Sequence, residues 1–392
     1  MAMDPKKDYQ GLSDECLKVM SEVEAFCEKE VKQTAIDADA NPEVQDKKMM
    51  EVIAKACELG YNAFDVPKEH GGPGFTKLES VALLEKMSYY DAGFGITISA
   101  NGLAAGPVLI GGNDAQKARI YEIIAHGGIG SFCLTEPAAG CDASAGQSVA
   151  YKDGDEYVIN GGKCFITNGP LASYYVVFAM TDKSKGAGKG YSAFFIDKKI
   201  DEVPGMSIGR IENKMGIRNS QVSEVLFDNV RVPASALIGS EGQGFKLAMM
   251  TLDVARITCG ITAIGICQRA LDEAVSYAKE RVQFGAPLST NEVIQFKFAD
   301  MAMKLQSGRQ LCIHATDLYM QHVPFSTEAA MAKCVASDAS AYISSEAVQI
   351  FGGYGFMRNY PVEKLMRDSK IFQIFEGTNE IQRMVIGRNI VK

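Results

Sequence analysis

One carboxylate stands out because of the residues around it. Residues 373–382 read Gln-Ile-Phe-Glu-Gly-Thr-Asn-Glu-Ile-Gln, which places Glu376 between apolar Ile374–Phe375 and a Gly-Thr turn. Apolar surroundings disfavour the ionised form and raise the pKa of a carboxyl group toward the range of a general base that removes a proton from carbon. The alternative is that Glu376 caps the following helix, where a carboxylate meets free N–H groups and the positive end of the helix dipole.

Six separated segments, including the one around Glu376, carry a resemblance to a known family. They are residues 133–142 (CLTEPAAGCD), 165–169 (FITNG), 214–218 (KMGIR), 281–285 (RVQFG), 349–355 (QIFGGYG) and 373–382. In this order they closely resemble the acyl-CoA dehydrogenase family, most of all its short-chain, butyryl-CoA-type members. The N-terminal third is compatible in length and pattern. The resemblance implies α,β-dehydrogenation of an acyl-CoA thioester, with Glu376 as the base.

The elements that must position these segments fall into three zones. Apolar residues recur with helical spacing in the series Leu12, Cys16, Val19, Val23, Phe26 and the series Met49, Val52, Ile53, Ala56, Leu59. Strand-like runs follow at 157–159, 174–178, 192–196 and 222–227, with a hairpin turn at Asp153-Gly154. Long helical patterns return after about residue 241, interrupted near residues 285–287, 323–324 and 352–353.

This order predicts a multidomain α+β protein with the acyl-CoA dehydrogenase fold. Residues 1–128 are expected to form an N-terminal helical domain, residues 129–238 a β-barrel-like domain and residues 239–392 a four-helix bundle. The glycine-rich residues 185–190 lack the first Gly and the final Ser or Thr of a phosphate loop, so a hairpin loop is expected there.

Composition restricts the partners. With 392 residues, 47% of them hydrophobic, the chain can build a sizeable core, and a net charge of −8 argues against binding nucleic acid. Ten Cys without a Cys-x-x-Cys pair indicate free thiols, and four widely spaced His predict no metal site. Without a signal core, a presequence or any run that approaches a membrane span, the chain is expected to be cytoplasmic or a processed organelle protein.

Dehydrogenation also needs an acceptor for the hydride, which protein side chains cannot supply. Because no strand-linked Gly-x-Gly-x-x-Gly occurs, a nicotinamide site is disfavoured, and the resemblance implies FAD, with flavin N5 as the acceptor. By the same resemblance, five residues contact the flavin ring: Phe132, Leu134 and Thr135 on one face, Phe165 behind it and Thr167 near N5. The alternative for Phe165 and Ile166 is an ordinary place in a strand core.

A second set resembles residues that reach the FAD of a neighbouring subunit. They are Arg281, Phe284, Gln349 and Gly353, and Thr378 resembles a diphosphate contact. Arg suits a diphosphate because its planar donors engage two oxygens, although a lone Arg is also common on a solvated surface. The match implies a homo-oligomer, typically a tetramer. Glu292 stands where many relatives have Gln.

The substrate site is expected along one helix face and around the base. Phe245, Met249, Asp253 and Arg256 share a face by their spacing, and the resemblance implies that they contact CoA. Cys141, Phe375 and Gly377 are the other substrate-site candidates; Cys141 replaces a common Ser. Ala255 occupies a position where some relatives place their base, and Ala cannot serve as one.

Residues 91–103 resemble the segment that lines the acyl end of the pocket. They contain no Arg, so a second carboxylate on the substrate would be unpaired, and an uncharged short-chain or alicyclic acyl group is expected. Asp91 is a second candidate base, for 1,4-type dehydrogenation of a cyclic enoyl-CoA, but as Asp before Ala-Gly it also fits a helix cap. Linear, branched and alicyclic groups stay open.

Two alternatives concern the function of a flavoprotein with this fold. A member of the same fold that binds DNA and does no dehydrogenation would need a basic surface, which a pI of 5.3 contradicts. An oxidase would pass electrons to oxygen, whereas a dehydrogenase passes them to electron-transferring flavoprotein. The short, single-unit chain favours the dehydrogenase.

Overall fold

The N-terminal part of the chain is helical. The structure is a computed structural model that describes residues 3–41 and 45–392. Its first helices are α1 Pro5–Asp8, α2 Asp14–Phe26, α3 Lys32–Ala40, α4 Met50–Glu58, α5 Lys77–Tyr90, α6 Ala92–Gly111 and α7 Asp114–Ala125. Capping explains several starts: Ser13 accepts from the N–H of Cys16, and Thr76 and Glu79 form a reciprocal capping box at α5.

The middle of the chain is a mixed seven-stranded sheet. Its strands are β1 Gly130–Cys133, β2 Val149–Asp153, β3 Glu156–Thr167, β4 Tyr174–Met180, β5 Tyr191–Ile196, β6 Met206–Ile211 and β7 Val222–Pro233. The order β1-β4-β2-β3-β7-β6 has β5 paired to β4, and β1 and β2 run parallel to β4. Between β4 and β5 lies the one-turn helix α8, Ala187–Gly190. The glycine-rich segment is therefore the connection of an antiparallel strand pair, as predicted.

The C-terminal part returns to long helices. They are α9 Gly244–Glu280, α10 Glu292–Met320, α11 Ser326–Phe351, α12 Val362–Ser369 and α13 Asn379–Ile390. A small hairpin, β8 Val282–Gln283 and β9 Ala286–Pro287, separates α9 from α10. α9, α10 and α11 pack on one another, and α9 also packs on α5 and α6, so the helical core is continuous between the two ends of the chain. This is the predicted three-part architecture.

Most local predictions hold, with two exceptions at helix ends. The four strand-like runs lie in β3, β4, β5 and β7, and Gly154 takes a left-handed φ of 62° in the turn between β2 and β3. Leu12, however, precedes α2, and Leu59 caps α4 with 54% of its surface exposed. Both residues continue an apolar series past the point where the helix starts or stops.

Two helices pass a simple test for membrane spans. By length and apolar composition, α6 and α9 could cross a membrane, so the expectation that no run approaches a span is wrong on that criterion. In this fold, however, 61% and 67% of their most apolar windows are buried. They approach closely, since a Cβ on Gly106 of α6 would lie 2.5 Å from the Thr251 side chain of α9. Helices that are apolar all round are expected in the core of a large protein.

Candidate active site

The segment around Glu376 is a sharp turn between two helices. A 3₁₀ turn, Lys370–Gln373, follows α12, and then Glu376 and Gly377 take left-handed φ values of 55° and 86°. Thr378 caps α13 by accepting from the N–H of Ile381. The local alternative that Glu376 is the cap is therefore wrong, because Thr378 fills that position.

Glu376 is half-buried, and its Oε2 atom is fully buried without a hydrogen-bond partner among the described residues. Burial raises the pKa of this carboxyl to about 7, against the opposing attraction of Lys333 and Arg256. Of the two neighbours expected to desolvate it, Ile374 is 49% exposed and only Phe375 packs against the core. The remaining desolvation comes from residues distant in sequence.

Three side-chain hydrogen bonds hold the turn, and the sequence analysis did not identify their donors. Gln382 Nε2 donates to the carbonyl oxygens of Glu376 and Gly377 at 3.0 and 2.9 Å, and Lys333 Nζ donates to that of Gly377 at 2.8 Å. Lys333 is wholly buried in α11, within the apolar sequence Ala-Ala-Met-Ala-Lys-Cys-Val-Ala. A lone Lys in such a run is the one local signal that could have drawn attention to it.

Arg256 and Asp253 form an ion pair on α9. Ser326 at the start of α11 donates to the same Asp253 oxygen at 2.8 Å. Burial lowers the pKa of Arg256, opposed by the charges of Asp253 and Glu376, and its Nε is buried without a hydrogen-bond partner in the part of the chain that the structure describes. Arg256 therefore has a polar donor left over close to Glu376.

A cavity of about 650 Å³ lies between α5, α6, α9 and the turn that joins α10 to α11. Its lining includes Leu84, Met87, Ile98, Leu103, Ala255 and Thr258. Asp253 also lines it, whereas Phe245 and Met249 pack against the apolar cluster beneath the sheet. Glu376 does not line the cavity. It interacts with the charge of Arg256, which follows the lining residue Ala255 on α9. The cavity volume is typical of small-molecule sites.

The residues expected on the flavin face come together where β1 and β3 end. Phe132 lies in β1, and Leu134 follows the strand and leads into Thr135, whose carbonyl accepts from the N–H of Cys164 at 2.9 Å. Ser131 Oγ donates to the Thr167 carbonyl at 2.9 Å. The buried pair Lys163–Glu136 holds the same loop, because Lys163 Nζ also donates to the Leu134 carbonyl at 3.2 Å.

Phe165 lies at a bulge of β3, where its φ of 57° turns the side chain out of the sheet. It is 63% exposed, whereas Cys164 and Ile166 on either side are 4% and 1% exposed. The strand-core alternative is therefore wrong for Phe165 and right for Ile166. An exposed aromatic ring beside the half-buried hydroxyls of Thr135 and Thr167, which bond no other group in the described ranges, fits a planar aromatic cofactor with polar edges.

The second FAD set lies on one exposed surface of the C-terminal domain. Phe284, at the tip of the β8–β9 hairpin, is fully exposed with a φ of 53°. Arg281 ends α9 and lies 5.4 Å from the ring centroid of Tyr354, the residue after Gly353. Gln349 is exposed in the last turn of α11, and Glu292 begins α10. The four predicted residues are thus accessible, but they are not part of the site around Glu376.

The loop after β1 links the flavin face to the base. Cys141 is the one exposed thiol among ten free cysteines, and its Sγ lies 3.9 Å from Thr378 Oγ1. Thr378 follows Glu376 by two residues, so Cys141 and Gly377 lie on the same side of the site. In the described residues no group of three or more His, Cys, Asp and Glu could hold a metal ion.

Asp91 occupies a different environment. It caps α6, accepting from the N–H of Phe94 at 2.7 Å, as the cap prediction requires. Its other oxygen accepts from Asn219 Nδ2 at 3.1 Å and from Lys364 Nζ at 2.6 Å. The carboxylate is fully buried and is not part of the cavity lining. Lys364 and Asn219 are further residues that the sequence analysis missed.

The comparisons with known proteins agree over the full length. Residues 13–128, 131–230 and 242–391 match the N-terminal, middle and C-terminal domains of acyl-CoA dehydrogenase. The short-chain-specific acyl-CoA dehydrogenase of Megasphaera elsdenii is 45% identical over 94% of this chain and 95% of its own. The human mitochondrial short-chain-specific enzyme is 43% identical over 94% of this chain and 88% of its own.

Solved structures give the same result. Butyryl-CoA dehydrogenase from Megasphaera elsdenii matches with a TM-score of 0.92 and 42% identity, covering 100% of both chains. A chain from a structural study of the electron transferring flavoprotein of Acidaminococcus fermentans matches with a TM-score of 0.92 and 43% identity, again over 100% of both. The chain belongs to the acyl-CoA dehydrogenase family and is a FAD-dependent oxidoreductase.

Proposed function

We propose that this enzyme removes hydrogen from the α and β carbons of an uncharged, short-chain or alicyclic acyl-CoA thioester, with Glu376 as the base. The observation that carries the proposal is the environment of Glu376: a buried, unpartnered Oε2 on a carboxyl whose pKa is raised to about 7. A base is most effective when its pKa lies near the working pH. When bound, FAD supplies the acceptor for the hydride that leaves the β carbon.

The cavity supports an uncharged acyl group. Its lining is largely apolar, and Lys77 at the start of α5, the one Lys or Arg of its described lining, is already paired with Asp65 at 2.6 Å. A second carboxylate on the substrate would therefore have to compete with Asp65 or remain unpaired, which is costly in an apolar site. The short-chain specificity of the two relatives favours a small acyl group.

The alternative base, Asp91, receives less support. Within the described residues its carboxylate accepts three hydrogen bonds that engage both oxygens, and one of them belongs to a buried ion pair with Lys364. A proton acceptor needs a free lone pair that substrate can reach. We therefore assign Asp91 to the start of α6 and not to a 1,4-type dehydrogenation of a cyclic enoyl-CoA.

The assignment of the remaining residues is also a proposal. Asp253 and Arg256 bind the CoA moiety, with Phe245, Met249 and Cys141 alongside. Phe132, Leu134, Thr135, Phe165 and Thr167 hold the flavin ring, and Thr378 reaches its diphosphate. Arg281, Phe284, Gln349 and Gly353 serve the FAD of a neighbouring subunit in a homotetramer, and the full exposure of Phe284 supports a surface covered by another copy.

For electron transfer we propose electron-transferring flavoprotein as the acceptor, because one structural neighbour comes from a study of that protein. The ten free cysteines support a reducing compartment, and we propose the cytoplasm.

The test is anaerobic flavin reduction with a panel of CoA thioesters of linear, branched and alicyclic acids. Glu376→Gln keeps the shape of the side chain but removes its basicity, so the rate should fall by about 10²- to 10⁴-fold while FAD and ligand still bind. The matched control is Glu380→Gln, an exposed carboxylate four residues away, which should react at the wild-type rate. A Glu376→Gln enzyme that keeps more than about a tenth of the wild-type rate would exclude Glu376 as the base.

A further inference from the structure

The backbone of the base is fixed by groups outside its own segment. A non-glycine residue with a φ of 55° persists only where the surrounding structure determines it. At Glu376 and Gly377 the determining contacts are the three hydrogen bonds from Gln382 and Lys333 onto their carbonyls. Gln382 is itself fully buried, one turn into α13.

Lys333 is bound on the other side of the turn as well. Its Nζ donates to Asn379 Oδ1 at 2.9 Å, and Asn379 is the first residue of α13. Asn379 Nδ2 in turn donates to Ser337 Oγ at 2.9 Å and to Asp338 Oδ1 at 2.8 Å, one turn further along α11. The ammonium therefore ties α11 to both the end of the base segment and the start of the next helix.

The charge of Lys333 lacks a close counter-ion. Among the ion pairs of the described residues none includes Lys333, and its hydrogen-bond acceptors are neutral oxygens. Burial lowers the pKa of Lys333, opposed by charges that include Glu376 and Asp338. An apolar residue would fill this place without burying a charge. The hydrogen bonds of Lys333 go only to neutral oxygens, so its positive charge is explained if it acts on a nearby carboxylate.

We propose that Lys333 is a positioning residue of the reaction, which together with Gln382 holds Glu376 in its left-handed conformation and stabilises its carboxylate form. The inference rests on the proposed function, since it assumes that Glu376 is the base. Lys333 contacts the turn at the Gly377 carbonyl and Asn379, and it acts on Glu376 through these contacts and through its charge. Gln382 contributes the backbone contacts without a charge, so the two effects are separable.

Other charged and titratable groups also surround Glu376. Arg256 and Cys259 on α9 interact with Glu376 itself, whereas Cys334 and Asp338 on α11 and Glu380 on α13 interact with Lys333, and Arg383 interacts with Glu380. Arg256 is already paired with Asp253, and Arg383 with Asp338. Lys333 is the cation of this group without a carboxylate at ion-pair distance within the described residues. Its removal should therefore change the ionisation of Glu376 most directly.

The experiment compares the pH dependence of anaerobic flavin reduction in matched FAD-loaded variants. Lys333→Met should move the acid limb of the profile to higher pH by about one unit, lowering the rate at pH 7 about fivefold and allowing partial recovery in alkali. Gln382→Leu should lower the rate at every pH without moving the limb. Lys86→Met, at a buried lysine paired with Glu24 far from the turn, should change neither.

The electrostatic role and the backbone role would each be contradicted by a different result. An unmoved limb in Lys333→Met overturns the electrostatic role, and a wild-type rate in Gln382→Leu overturns the backbone role. If Lys333→Met does not fold, Lys333→Gln and Lys333→Arg take its place: the limb should move in the first and stay in the second. Glu376→Gln is measured alongside. If it remains active, the proposed function fails; if it is inactive and the limb is unmoved in the Lys333 variants, only this inference fails.

Discussion

Two buried carboxylates, Glu376 and Asp91, illustrate opposite uses of the same functional group. Asp91 has both oxygens engaged, by the N–H of Phe94 on one side and by Asn219 and Lys364 on the other. Glu376 has a buried oxygen with no hydrogen-bond partner within residues 3–41 and 45–392. A carboxylate whose oxygens are all hydrogen-bonded or ion-paired is stabilised in its ionised form and contributes to the stability of the fold. A carboxyl group that is desolvated and unpaired has a raised pKa, so it can exchange a proton near neutral pH.

The partners of Asp91 explain how its carboxyl group is accommodated in a buried place. Burial opposes the charge of Lys364, but the attraction of Asp368 and Asp91 outweighs it and raises the pKa of Lys364. Asp368 also accepts from the N–H of Ile217 at 2.6 Å. The cluster therefore joins the start of α6, the loop after β6 and α12, one element from each part of the chain.

The largest effect on stability is expected when the cation beside Asp91 is removed, because the Asp91 carboxylate then loses its ion-pair partner. Lys364→Met leaves Asp91 and Asp368 buried together without a cation, which should lower the free energy of unfolding by about 3 to 5 kcal/mol. Urea denaturation at pH 7.5 measures it. The control, Lys370→Met, removes an exposed lysine bonded only to Gln373 and should cost less than about 0.5 kcal/mol. Equal stability of the two variants would show that the Asp91 cluster is not structural.

A smaller loss is expected from Asp91→Asn, which removes one charge but retains an oxygen for the N–H of Phe94. Lys364 keeps Asp368, so the cost should be about 1 to 3 kcal/mol. Per FAD-loaded active site, the rate of flavin reduction should stay within about threefold of wild type, since Asp91 takes no proton. A well-folded, FAD-loaded but inactive Asp91→Asn enzyme would reverse the roles assigned to the two carboxylates.

The smallest effect concerns the stability cost of the base. Because the folded pKa of Glu376 is raised from 4.5 to about 7, its ionisation opposes folding as the pH rises through this range, and the full cost is present above about pH 7. Glu376→Gln should therefore raise the free energy of unfolding at about pH 8 by on the order of 1 to 2 kcal/mol, with a corresponding rise in the melting temperature. At about pH 4.5 both quantities should be nearly unchanged. Glu380→Gln provides the exposed control. No gain at the higher pH would indicate that Glu376 is not desolvated.

Local pattern was sufficient for the elements and for the candidate base. Strand alternation located β3, β4, β5 and β7, and the apolar-Glu-Gly-Thr order singled out Glu376. Local pattern did not predict two positions at which contacts with distant parts of the chain override the local preference. Phe165 has the composition of a strand core, yet a bulge turns it outward, and the cap at α13 is Thr378 because Glu376 is committed to a left-handed turn.

The supporting residues were not predictable because their contacts span large separations in sequence. Lys333 reaches Gly377 across 44 residues, and Lys364 reaches Asp91 across 273. No periodicity encodes such a pair, and although the apolar run around Lys333 indicates a buried lysine, it does not indicate which residue that lysine contacts. The Asp91 cap, in contrast, depends on residues three apart and was read correctly from sequence.

The measurement that tests the central claim most directly is the pH dependence of single-turnover flavin reduction by the wild-type enzyme. If the desolvated carboxyl of Glu376 is the base, the rate should rise with pH and reach half of its maximum near pH 7, and Glu376→Gln should lose both the rate and this limb. A wild-type rate that stays constant from about pH 5.5 to about pH 8.5, or a limb near pH 7 that persists in Glu376→Gln, would contradict the account.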